Sequence, residues 1–131
     1  MSAETMCAES IYVLDDDPSV LKSLARLLAA AGFQFRTFSE PDNLLASIEG
    51  RSVPVVILDV WMEKMTGLEV QSKLSHLSPR TRVIVMTGRN DPGVRRTAMD
   101  RGAFAFFVKP FDDEEFVAAI RASLAAAEKI G

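Results

Sequence analysis

The chain has 131 residues, 48% of them apolar and 25% charged, with 15 basic against 18 acidic side chains and a net charge of −3. That apolar share excludes a disordered tail, and the mild acidity excludes a domain that grips nucleic acid through phosphate contacts, which need a basic face. The single cysteine, Cys7, forms no internal disulfide or thiolate cluster, no apolar run reaches the ~20 residues of a membrane span, and residues 1–10 lack the pattern of a signal peptide. The expectation is one soluble domain of cytoplasmic type over residues 10–127, with a leader of residues 1–9 and a tail of residues 128–131.

Five short apolar runs alternate with helical patterns. Ile11 to Leu14 reads as a strand that runs into Asp15, Asp16 and Asp17, and aspartate before Pro18 suits a helix N-cap and first turn. Val20, Leu21, Leu24, Leu27, Leu28 and Ala31 follow with helical spacing until Gly32, a residue suited to a left-handed cap. Phe33, Phe35 and Thr37 share one face of a second strand, with Arg36 and Phe38 on the other. Ser39 to Asp42 opens a second helix that turns Leu44, Leu45 and Ile48 inward.

Val53 to Leu58 is apolar throughout, as a strand buried on both faces of a parallel sheet requires, and it ends at Asp59. A loop from Trp61 to Gly67 leads to a helix carrying Leu68, Val70, Leu74 and Leu77. Val83 to Met86 is a fourth strand ending at Thr87-Gly88, and a helix from Pro92 to Arg101 follows. Ala103 to Val108 is a fifth strand ending at Lys109-Pro110. A last helix starts near Asp112, with Phe116, Val117, Ile120 and Leu124 inward. This (βα)5 order predicts an α/β fold, a parallel sheet covered on both faces.

The residues at the strand ends carry the chemistry. Ligands of open α/β sheets bind beyond the carboxyl ends of the strands, which is where Asp15, Asp16, Asp59, Thr87 and Lys109 should meet. Three carboxylates repel one another and call for a cation; an all-oxygen donor set suits Mg2+. An ammonium and a hydroxyl beside them suit an anion. A carboxylate so surrounded can accept a phosphoryl group, a transfer governed by positioning and charge neutralisation.

With these residues in this order, the chain resembles a response-regulator receiver domain of the chemotaxis-regulator type, over about residues 10–127. The resemblance implies a doubly wound, flavodoxin-like sheet of order 2-1-3-4-5. It implies Asp59 as phosphoacceptor and Asp15, Asp16, Asp59 and the Trp61 backbone carbonyl as ligands of Mg2+ or Mn2+. Thr87 and Lys109 would bind the phosphoryl group, Phe106 would follow Thr87 in the switch, and the Lys109–Pro110 bond would be cis. The implied partners are a histidine kinase or histidine phosphotransfer protein, and a second copy through the fourth helix, fifth strand and fifth helix. Neither nucleic acid nor membrane is an expected partner. The Asp-Asp-Asp-Pro-Ser-Val, Thr-Gly and Lys-Pro-Phe segments are most similar to receivers of nitrogen-fixation-type regulators.

The chain departs from the family where Glu63 replaces a proline, which implies a looser loop and a further carboxylate near the metal. Trp61 and Arg89 stand two residues after Asp59 and Thr87 and are expected to modulate the lifetime of the aspartyl phosphate. Two other functions compete. Asp15 to Val20 also resembles the first motif of haloacid-dehalogenase-type phosphohydrolases, but that chemistry leaves Asp59 without a role. A pseudo-receiver that binds partners without phosphorylation would tolerate Glu63, but not explain the complete set of five residues. The expectation is a phosphoacceptor that assists its own phosphorylation and dephosphorylation rather than a turnover enzyme. Plainer roles also exist: Asp17 as a helix cap, Asp59 as a turn residue, Lys109 as a solvated strand end, Phe106 as core, and His76 as an exposed residue.

Overall fold

The computed structural model describes residues 10–49 and 51–130, so the leader with Cys7 lies outside the described residues. The apolar runs form β1 (Ile11–Leu14), β2 (Phe35–Phe38), β3 (Val55–Asp59), β4 (Arg82–Thr87) and β5 (Ala105–Val108). They pair in parallel in the order β2-β1-β3-β4-β5. Between and after them run α1 (Pro18–Ala30), α2 (Pro41–Ile48), α3 (Gly67–Leu77), α4 (Pro92–Asp100) and α5 (Asp113–Ile130). The expected fold class and strand order are both present. The last helix runs to Ile130. No helix of the described residues is long and apolar enough to cross a membrane.

Parallel strands need helical crossovers, and the helices cover both faces. Leu24 and Leu28 of α1 and Phe116 and Ile120 of α5 pack with Ile11, Val13, Ile57 and Ile84 on one face. Leu44 and Ile48 of α2, Val70 and Leu74 of α3 and Ala98 of α4 pack with Tyr12, Leu58 and Val85 on the other. Alternation along β2 serves both: Phe35 packs on the first face, and Phe38 on the second. Val117 and Leu124, expected inward on α5, are half-buried.

Three strands begin two residues later than the sequence pattern suggests, for identifiable reasons. The Phe33 N–H donates back to the Leu28 carbonyl at 3.1 Å behind α1, so β2 starts at Phe35 rather than at Phe33. Pro54 has no N–H for the ladder, so β3 starts at Val55, although Val53 is buried. The Ala103 amide donates back to the Ala98 carbonyl to close α4, which delays β5 to Ala105. Helix starts follow their caps: the Asp17 carboxylate accepts from Ser19 N at 2.9 Å, and Asp91 accepts from Gly93 N and Val94 N. Ahead of α3, Thr66 and Glu69 form a capping box, signalled by a Thr-x-x-Glu spacing.

Register then delivers the site. Leu14 lies beside Leu58, so Asp15 and Asp59 emerge side the by side at the next step. Thr87 lies beside Val108, so Lys109 follows directly, its N–H bonding the Thr87 carbonyl at 2.7 Å. The loop after β3 folds back on the same strand: Gly67 N donates to the Val60 carbonyl at 2.8 Å, and a Cβ on Gly67 would collide with the Asp59 carbonyl oxygen. Gly88, by contrast, has open space where a Cβ would sit. Gly67→Ala should therefore cost about 1–3 kcal/mol or more in stability, and Gly88→Ala no more than about 0.5 kcal/mol, read from urea unfolding midpoints.

Candidate functional site

Beyond the carboxyl ends of the strands lies a cleft of about 350 Å³ lined by Asp15, Asp16, Asp17, Asp59, Trp61, Gly88, Arg89 and Lys109. Its centre is the Lys109 ammonium, whose Nζ donates to Asp15 Oδ2 and to Asp59 Oδ1, each at 2.9 Å. Asp15 is 1% exposed and Asp59 is 4% exposed, so both carboxylates depend on protein donors more than on water. Asp15 Oδ1 accepts the Asp17 N–H at 2.9 Å. Asp16 is exposed at the rim, where its Oδ2 accepts the Glu63 N–H at 3.0 Å.

One oxygen from each of Asp15, Asp16 and Asp59 lies within 4.8 Å of the others, a spacing that could hold a metal ion. Glu63 is not in that group; its backbone N–H, not its carboxylate, reaches the cluster, contrary to the expectation of a further acid there. Three hard oxygen donors without nitrogen or sulfur fit Mg2+ or Mn2+. The charges fit as well: four carboxylates line the cleft against the two cations Arg89 and Lys109, a formal deficit that a divalent ion would cancel.

Burial pushes the Asp59 carboxyl above its usual range, and the nearby Asp15 and Asp16 charges push the same way, against the hydrogen bond from Lys109. For Lys109, burial acts to lower the ammonium, but the hydrogen bonds and charges of Asp59 and Asp15 outweigh it and hold the pKa above normal. At the exposed Asp17, the Ser19 hydroxyl and amide lower the carboxyl. Asp59 is thus an acid whose charge the fold resists even with Lys109 beside it.

The other expected residues take distinct places. Thr87 is fully buried at the end of β4, and its Oγ1 accepts the Arg89 N–H at 3.1 Å. Trp61, 40% exposed, and Arg89 form the cleft wall, the guanidinium 5.0 Å from the ring centroid. Phe106 is buried in β5, outside the cleft lining, with the Arg95 guanidinium of α4 5.4 Å from its ring centroid. The Arg95 contact has no signal in the local sequence, because it joins a helix to a strand that crosses beneath it. The Lys109–Pro110 bond is cis.

Because folded Asp59 holds its proton more tightly than the unfolded chain does, its contribution to stability is full below the ordinary value of 3.8 and is lost as pH rises through the raised value. The Lys109 contribution has the same sign at the alkaline end, full below 10.5 and lost above its raised value. Asp59→Asn removes the first of these losses. In chelator at neutral pH, the variant should melt at a higher temperature than the wild type, and the difference should shrink as pH falls toward the carboxylate range. Thermal unfolding across pH checks both; a lower midpoint in the variant at neutral pH would contradict the sign.

Comparison with known proteins agrees with this fold. The family described as the response regulator receiver domain matches residues 11–121. The response regulator protein TodT of Pseudomonas putida is 38% identical over 117 residues, which cover 89% of this chain and 52% of that protein. The transcriptional regulatory protein FixJ of Bradyrhizobium diazoefficiens is 34% identical over 118 residues, covering 90% of this chain and 58% of FixJ. The chain therefore spans about half the length of such relatives. A solved CheY-like receiver domain protein from Methanospirillum hungatei superposes with a TM-score of 0.86 at 26% identity, covering 94% of this chain and 98% of that one. The family match covers most of the chain, and the relatives and solved structures agree with it: the chain belongs to the response regulator receiver domains of two-component signalling.

Proposed function

We propose that Asp59 accepts a phosphoryl group from a phosphohistidine on a partner histidine kinase or histidine phosphotransfer protein, in the cytoplasm, and that the modification switches a binding face of the domain. The observation that carries this is the buried Asp59 carboxylate in an open cleft, 2.9 Å from the Lys109 ammonium and grouped with Asp15 and Asp16. Asp15, Asp16, Asp59 and the Trp61 carbonyl would hold Mg2+ or Mn2+, which when bound neutralises the oxygens of a transferring phosphoryl group.

The chain's own residues do the rest. The Asp59 carboxylate attacks phosphorus as the phosphorus–nitrogen bond to the donor imidazole breaks, giving an acyl phosphate. Lys109, already held between two carboxylates, pairs with the new anionic oxygens. The Thr87 hydroxyl accepts from Arg89 N and has its own proton to donate, so a new anion beside it draws that proton inward. Phe106 then follows, and Arg95 over its ring carries the change to α4. The face of α4, β5 and α5 would differ between the two states and bind a partner or a second copy. The domain acts as a phosphoacceptor that promotes its own modification, not as a turnover enzyme.

Incubation with acetyl phosphate and Mg2+ should add the mass of one phosphoryl group to the intact protein, and Asp59→Ala should add none. Absence of any adduct in the wild type would leave a module that binds partners without phosphorylation. The Trp61–Arg89 pair bears on how long the phosphate lasts, because it walls the cleft through which water must come. A cation–π contact of this exposed kind is worth about 0.5–1 kcal/mol, so Trp61→Asn or Arg89→Glu should speed dephosphorylation about two- to fivefold. Phosphate loss followed by mass over time checks this; unchanged rates in both variants refute it.

A further inference from the structure

The end of the sheet remote from the cleft holds a second polar cavity. It lies where α3 ends, where β4 begins and where Gly102 leads toward β5, and has a volume of about 170 Å³. That is room for about five water molecules. Gln71, 3% exposed, lines it. Its Nε2 donates to the Ala98 carbonyl at 3.0 Å, while its Oε1 is buried without a partner. Arg82 lines the same cavity, and its Nε is also buried without a partner. A buried acceptor and a buried donor without partners, on two residues that line one cavity, are rare in folded proteins unless something bridges them.

The remaining lining fixes the sign of what would bridge them. Arg82 and Arg101 both contribute to it, and no Asp or Glu among the described residues does. Arg101 donates Nη1 to the Leu68 carbonyl at 3.2 Å, a bond that leaves its charge uncancelled. The Thr81 hydroxyl donates to the Val53 carbonyl at 2.7 Å, so the 2.6 Å bond between Ser78 and Thr81 is donated by Ser78. The Ser78 hydrogen is therefore spent. Water could bridge Gln71 and Arg82, but an anion would also use the two guanidinium charges that line the cavity. An anion that only accepts would answer Arg82 and Arg101 but leave Gln71 Oε1 open.

We infer that this cavity binds a small oxyanion that retains a hydroxyl, such as hydrogen phosphate or hydrogencarbonate, with its oxygens toward Arg82 and Arg101 and its hydroxyl donated to Gln71. The site is separate from the phosphorylation cleft, which lies at the opposite ends of the strands, and does not depend on phosphorylation of Asp59.

The test uses the full chain, labelled with nitrogen-15, in chelator, titrated with hydrogen phosphate, hydrogencarbonate and sulfate while backbone amide signals are followed. Saturable shifts at Ser78, Arg82 and Gly102 are expected with at least one of the first two anions. Sulfate, which has no hydroxyl at neutral pH, should bind about tenfold more weakly, as loss of one hydrogen bond to a buried acceptor implies. Arg82→Gln should weaken binding by a similar factor. Arg101→Gln, at an exposed position, serves as the second variant should Arg82→Gln fold poorly. Shifts confined to Gly88 and Arg89, no saturable shift, or binding unchanged in the variants would each overturn the site. Equal binding of sulfate would overturn the role given to Gln71.

Discussion

One ammonium group holds the functional end of this molecule together. Lys109 bridges Asp15 and Asp59, and so ties the ends of β5, β1 and β3 across the sheet. Neither carboxylate could remain buried and charged beside the other without it, since like charges in a medium that solvates them poorly repel strongly. The lysine offsets only part of that repulsion. Asp59 still sits above its normal pKa, and the cleft still lacks positive charge. A site that stays electrostatically unsatisfied in this way is poised to take up a cation and to respond when an anion is added.

The fold makes such a site affordable by confining polarity to strand ends. Along β1 and β3 the residues before Asp15 and Asp59 are all buried and apolar, because helices cover both faces of the sheet. A parallel sheet places all carboxyl ends on one side, so residues distant in sequence converge without any long-range motif being needed. Pairing of Leu14 with Leu58 and of Thr87 with Val108 turns one-residue precision in register into a site of defined geometry. A slip of one residue in either strand would turn its acid to the opposite face.

This explains what could be read from the sequence and what could not. Apolar runs and the polar residues that close them are local features, so the five strands, their helices and the strand-end positions of Asp15, Asp16, Asp59, Thr87 and Lys109 were legible. Strand starts were less so, because Pro54 and the amide of Ala103 are committed to other needs that the apolar pattern does not record. Glu63 looked like an added acid, yet the backbone turns its N–H to Asp16. The contacts of Arg89 with Trp61 and of Arg95 with Phe106 depend on how loops and helices lie over the sheet, as does the pairing of Gln71 with Arg82 in one cavity.

Arg89 shows why those tertiary contacts matter for the proposed switch. Its N–H holds the Thr87 hydroxyl, and its guanidinium rests on Trp61 at the cleft wall. One residue therefore touches both the group that would respond to a phosphoryl oxygen and the wall that would shield it. Drawing the Thr87 hydroxyl inward means giving up or bending the bond from Arg89 N, which displaces the start of the segment leading to α4. Arg95 on α4 lies over Phe106, so the same helix is restrained at a second point by the strand that ends in Lys109. Charge added at Asp59 would thus act on α4 from both its leading loop and its packed face. Two restraints on one short helix favour two discrete positions over a graded series, and that is the property a binding face needs in order to report a single chemical event.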